Sequence, residues 1–324
     1  MLCVVLMSGK GQMRTSVWDL MEEATLQPSI DECPAPSSNL IMNIIVWNCK
    51  WASKPSFQNR VRELVHDHDP AIMVIMETRI GGVRAGDITN KLPFDGAIHT
   101  DTLGFVGGLW LFLNSDRVQV HQLAMSEQEI HALVKVLPSN LEFICTIVYA
   151  NPRFQERCVL WNNLKNAANL HDKPWIIIGD FNEVLVEGDK FGGRIISSNR
   201  SLLFKECLDR CSMVDMGFVG PRFTWTNRRN ICDLIQERID RFFANPSWYA
   251  LHLDARVTHL TRCVSDQYCP VLLETNPSNS VFLPRPFKFQ SFWLSDVSFS
   301  GIVMEAWGRT SPLRESIENF SRKS

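Results

Sequence analysis

No stretch of this sequence stays apolar for long enough to cross a bilayer, which excludes a membrane-spanning helix. The opening MLCVVLM is short, lacks a basic flank and soon meets Lys10, so no secretory signal is expected and an intracellular product is. A basic excess is also missing. Lys and Arg number 33 against 35 Asp and Glu, for a formal net charge of -2. That balance argues against indiscriminate coating of nucleic acid and leaves room for a local basic cleft. The ten cysteines include no C-x-x-C pair and no regular spacing, and read as buried reduced thiols rather than a zinc site. Cys207 and Cys211 lie four apart on an expected helix and share a face. There is no internal repeat, no basic run suited to nuclear import and no Y-x-D-D-like polymerase motif.

What is present is an ordinary globular composition, 45% hydrophobic and 21% charged, enough for one large core or two modest domains. Residues 1–41 read as an irregular leader ending in the linker-like DECPAPSSN. MNIIVWN (42–48) and AIMVIME (71–77) have the β-branched apolar runs of buried strands. Between them 56–68 reads as a helix capped by Ser56, with Val61, Leu64 and Val65 on one face and Pro70 beyond its end. Strands are expected at 107–114, 117–123, 130–137, 143–150, 174–182, 222–227, 237–243, 255–261 and 270–274, and helices at 154–169 and about 200–211. Runs of strands broken by helices predict an α/β fold with mixed sheets flanked by helices rather than a simple βαβ repeat. After Asn276 the chain becomes a Pro-rich connector and a short amphipathic tail.

Polar residues recur at one kind of position. Asn48, Glu77 and Tyr149 end strands, Asp180 and Asn182 follow WIIIG, and Asp266 precedes the last strand. Singly, each is an ordinary turn or solvated residue. Together they suit a metal-assisted site at a sheet edge. Mg²⁺ wants oxygen ligands, and one or two carboxylates suffice beside phosphate oxygens. An Asn amide can hold a phosphate without adding negative charge, and a carboxylate such as Asp180 can orient or deprotonate water.

The stretches NIIVWNCKWASKPSF, DPAIMVIMETR, GGLWLF, TIVYANPR, WIIIGDFNEVL, DKFGGR, FTWTNRR, LIQERIDRFFANPSW and VTHLTRCVSD carry a family pattern. Over about residues 42–275 the chain resembles the endonuclease/exonuclease/phosphatase family, specifically the endonuclease region of plant LINE (non-LTR) retrotransposons. The resemblance implies a two-sheet α/β sandwich of the DNase I-like type and hydrolysis of phosphodiesters in DNA with Mg²⁺ or Mn²⁺. By it, Glu77 is the principal metal ligand and Asn48 a phosphate or metal-shell contact. Tyr149 touches the scissile phosphate, Asp180 positions the attacking water with Asn182 beside it, and Thr224 lies near the site. Asp240 orients the catalytic histidine, and Asp266 assists the metal or that histidine. Residues 276–324, with FKFQSFWLSD, resemble the connector before a reverse transcriptase, which this chain does not contain. A monomer is expected, and only the family's substrate points to the nucleus.

The copy departs from the family at CVSDQYCPV (263–271). The family has Ser-Asp-His, one residue, then Pro; here Ser265-Asp266 runs into Gln-Tyr-Cys-Pro, one residue longer. Alignment from the left puts Gln267 in the histidine's place, and from the right Tyr268. Neither is an imidazole, and Gln can neither move a proton near neutral pH nor become cationic. A one-residue slip in a strand also reverses side-chain facing unless a bulge absorbs it. The second departure is Lys50-Trp51 where the family has Arg-Gly. Without a glycine the turn is strained or the cleft crowded, or else the indole turns outward. The expectation is therefore an impaired nuclease domain. The rival is an inactive fold that binds nucleic acid or protein.

Overall fold

A computed structural model of the chain describes residues 42–100, 108–137, 139–262 and 266–277, with Gly301, Val303 and Met304. The leader expected over 1–41, most of the connector after 276, and Ser265 lie outside the described residues. Contacts divide the chain into two compact units, Met1–Pro277 and Ser278–Ser324, and every element below belongs to the first.

One six-stranded sheet holds β1 (Asn43–Asn48), β2 (Ile72–Met76), β3 (Gly96–His99), β4 (Leu109–Leu113), β14 (Arg256–His259) and β15 (Val271–Glu274), in the order β14-β15-β1-β2-β4-β3. A second holds β5 (Val118–Met125), β6 (Glu129–Val136), β7 (Leu141–Tyr149), β8 (Trp175–Asp180), β10 (Val214–Asp215) and β13 (Asp240–Ala244), in the order β10-β13-β8-β7-β6-β5. In each sheet one central pair is parallel, β1 with β2 and β7 with β8, and the other neighbours are antiparallel. A small sheet of β9 (Lys190–Phe191), β11 (Trp225–Thr226) and β12 (Gln236–Glu237) completes the set.

The two-residue period of the strands sorts the core into layers. Ile44 and Val46, Val74 and Met76, Cys145 and Ile147, Ile176 and Ile178, and Phe242 fill the space between the sheets. Their neighbours face outward. Ile45, Trp47, Met73 and Ile75 meet Phe57, Val61 and Leu64 of α1 (Pro55–His68). Ile144, Val148, Ile177 and Phe243 meet Leu160, Trp161 and Leu164 of α3 (Phe154–Ala168) and Phe204 of α4 (Ser198–Arg210). Helix, sheet, sheet, helix is the resulting stack.

Several local expectations need correction. Pro55, not Ser56, opens α1: the cap residue is Lys54 with no side-chain cap bond, so Ser56 lies inside the first turn. The strand expected over 222–227 shrinks to Trp225–Thr226. Its flanking backbone bonds the 267–269 segment instead, through Thr226 N–H to Gln267 O (2.9 Å) and Cys269 N–H to Thr224 O (2.9 Å). The helices α2 (Gly82–Thr89) and α5 (Pro246–Leu251), and the edge strand β3, were not foreseen. Cys207 and Cys211 are buried free thiols. Among the described residues no helix is long and apolar enough to cross a membrane.

Candidate active site

The inner-face parity of the strands carries past the apolar core to a polar rim. Ile44, Val46 and Asn48 share one face of β1; Ile176, Ile178 and Asp180 share one face of β8; Ile147 and Tyr149 follow on β7; Asp240 and Phe242 on β13. Registers align the rim. Asp180 pairs across with Tyr149 on one side and Asp240 on the other. Gly179 allows that approach: its φ is +140°, and a Cβ there would come within 1.9 Å of Val148 O. Glu77 follows β2 in the left-handed region, φ 55°, which turns it to the same rim.

The Asp180 carboxylate is held from two sides. Asn48 Nδ2 donates to its Oδ2 at 3.0 Å, joining the two sheets, and Asn182 N–H donates to its Oδ1 at 2.9 Å. The Asn182 amide itself donates to Ala150 O at 2.7 Å, so this side chain locks the turn after β8. Thr224 is fully buried, and its Oγ1 accepts from the N–H groups of Ile239 and Asp240, both at 3.1 Å, fixing the start of β13.

The electrostatics are unbalanced. Burial pushes Asp180 up to about 7 against the pull of its bonds from Asn182 and Asn48, and Glu77 adds to the rise. Burial, then the neighbouring Asp180, pushes Asp240 well above the carboxylate range. Asp240 Oδ2 is buried with no hydrogen-bond partner. Burial, then Glu77 and Asp180, also raises the Tyr149 phenol far above its usual value, so it stays neutral.

The departing segment divides its two residues. Tyr268 points inward, only 8% exposed, bridged to Trp225 and packed with Val184 and Ile239. Burial, then the charges of Asp180, Glu77 and Asp240, keep its phenol un-ionised. Gln267 faces a cleft of about 330 Å³ with Asn48, Lys50, Trp51, Arg79 and Asp266, and its Oε1 accepts from Lys50 Nζ. Trp51 combines two of the expected outcomes. Its φ is 106°, a strained value for a residue with a Cβ, and its ring is half exposed at the cleft with the Arg79 guanidinium over it.

Sequence reading did not single out Arg79 or Arg228. Arg79 pairs with Glu77 Oε1, and its signal was only a cation two residues on, in a turn of unknown shape. Among the described residues no three His, Cys, Asp or Glu side chains converge closely enough to hold a metal alone. The oxygen donors at the rim, the Glu77 and Asp266 carboxylates and the Asn48 amide, nevertheless suit a hard cation that takes its remaining ligands from a substrate phosphate.

Two packed mixed sheets between helices, with polar side chains gathered at one rim, define a DNase I-like sandwich. Residues 45–296 match the profile of the Endonuclease/Exonuclease/phosphatase family, and the chain belongs to that family. Solved structures agree on the fold. The AP endonuclease LMAP from Leishmania major superposes with TM-score 0.56 at 14% identity, covering 81% of this chain and 99% of that one. The 3′ phosphatase NExo from Neisseria, solved with a product DNA hairpin, gives 0.53 at 19%, covering 72% and 98%. The endonuclease domain of TRAS1, a telomere-specific non-LTR retrotransposon, gives 0.53 at 15%, covering 72% and 97%. No curated protein sequence matches the chain.

Proposed function

We propose that this chain is a retroelement-derived, divalent-metal-dependent DNA phosphodiesterase domain whose turnover is impaired at Ser265-Asp266-Gln267. The observation that carries the impairment is Asp240 Oδ2. It is buried without a partner at the rim where the family resemblance calls for an imidazole, and Tyr268 stands on that side instead. A neutral phenol or amide can donate a hydrogen bond to a phosphate, but neither takes up a proton and becomes a cation near neutral pH. Loss of a positioned acid–base group costs about 10²–10⁴ in rate.

In this reading Glu77, with Asn48 and Asp266, holds Mg²⁺ or Mn²⁺. When bound, the cation polarises the phosphate oxygens. Tyr149, kept neutral, donates to a phosphate oxygen. Asp180, gripped by Asn48 and Asn182, orients the attacking water and accepts its proton in the deprotonated form. Asp240 and Thr224 hold the geometry behind it.

The test is nicking of supercoiled plasmid in Mg²⁺ by three proteins: the chain as written, a repaired chain (Gln267→His with Tyr268 deleted) and Glu77→Ala. Nicking by the repaired protein alone supports the reading. Glu77-dependent nicking at the same rate by the unrepaired chain removes the impairment. The rival, a binding module without catalysis, gains if the repaired protein binds DNA with a steep salt dependence yet never cuts it.

A further inference from the structure

Four cations line the cleft in front of the rim: Lys50, Lys54, Arg79 and Arg228. They are not equivalent. Arg79 is spent on Glu77, and Lys54 Nζ reaches the Cys49 carbonyl at 3.4 Å. Lys50 forms no ion pair with any described carboxylate; its ammonium is held by the neutral Gln267 Oε1. Its backbone sits in the left-handed region, φ 43°, fixed by its N–H donating to Asn48 Oδ1 at 3.2 Å. The other end of the same Asn48 amide grips Asp180. Lys50 is therefore fixed at both ends, its ammonium by Gln267 and its backbone N–H by the Asn48 amide that grips the buried carboxylate. An ammonium has three donors, and Gln267 uses one. The remaining two are available to an anion in the cleft, and a neutral holder does not pair off the positive charge.

We propose that Lys50, positioned by Gln267, is a substrate-contacting residue that takes a nonbridging phosphate oxygen and supplies the positive charge that Gln267 and Tyr268 cannot. The two departures at Lys50 and Gln267 then act as one pair. This rests on the phosphodiester reading above, and its test separates the two.

The full chain is titrated in EDTA, so that nothing is cut, with two probes: inorganic phosphate, and a short fluorescent DNA duplex over a range of NaCl. Lys50→Asn, neutral and at ease in the left-handed region, is compared with Lys50→Arg and Gln267→Ala. Thermal melts verify that each variant folds. Lys50→Asn is expected to weaken both probes about tenfold and to lower the salt slope by about one, the signature of a lost phosphate contact. Lys50→Arg should keep the slope, and Gln267→Ala should lose part of the affinity while keeping the charge. Duplex binding with the same affinity and slope in Lys50→Asn overturns the subsite and leaves the DNA reading standing. Lys50-dependent phosphate binding without duplex binding supports the subsite and removes the DNA reading. Failure of the unmodified chain to bind either probe overturns the subsite.

Discussion

Two acidic pairs lie next to each other along β13, and they are treated in opposite ways. On one side of β13, Asp189 and Asp215 meet Arg238 and Arg241, with Arg238 Nη2 2.7 Å from Asp215 and Arg241 bonded to both acids. On the other side, one residue earlier in the chain, Asp240 faces Asp180 with Asp240 Oδ2 unpartnered. Burial pushes Asp215 up, but Arg241 and Arg238 outweigh it and hold the acid below its ordinary range. Burial raises both acids of the other pair, with Glu77 adding to the rise of Asp180 and Asp180 adding to that of Asp240. The first pair is built to hold the turn at Asp189 and the edge strand β10 against β13. The second carries a charge conflict that the fold alone does not require, which is the mark of a site rather than a brace.

The sharpest break in this comparison is Arg241→Met. It leaves the buried Asp189 and the half-buried Asp215 with one cation, and should destabilise the fold by about 3–5 kcal/mol in urea titrations. The same kind of change in the other pair should do the reverse. Asp180 titrates at about 7 in the folded chain and near the ordinary carboxylate value when unfolded, so the folded state holds that proton more tightly. Its stabilising contribution is complete at low pH and is lost as pH rises from about 4 to about 7. Asp240 shifts in the same direction. Asp240→Asn should therefore raise the melting temperature by about 3 °C near pH 8 and leave it unchanged near pH 4. A fall near pH 8 would mean that Asp240 is neutralised after all.

Most of the rim was legible because its residues end apolar strands. The β-branched runs at 43–48, 72–76, 141–149 and 175–180 announce buried strands, and a period of two puts Asn48, Tyr149 and Asp180 on the face of the core without knowledge of the sheet order. What stayed hidden depends on long-range pairing. Whether Gln267 or Tyr268 faces inward differs by one residue of register, and the bridge from Tyr268 to Trp225 decides it across more than forty positions. The pairing of Lys50 with Gln267 spans 217 positions. The helix over 82–89 escaped notice because its glycines, Gly82 and Gly86, lower helix propensity.

The smallest expected effect concerns Trp51, the other strained departure at the cleft. A non-glycine residue at φ 106° stores about 1–3 kcal/mol. Trp51→Gly relieves it but loses the Arg79 stacking and adds chain entropy in the unfolded state, for a net gain below about 1 kcal/mol. A clear loss of stability in the melt would show that the indole is a needed wall of the cleft.

The central claim is that the rim is intact and lacks only an imidazole beside Asp240. The most direct measurement is the plasmid-nicking rate of Tyr268→His against the unmodified chain, in Mg²⁺ and at equal concentration. The inward position of Tyr268 predicts a rate increase of about 10²–10⁴ without any deletion. A well-folded Tyr268→His protein that nicks no faster than the unmodified chain would contradict the claim.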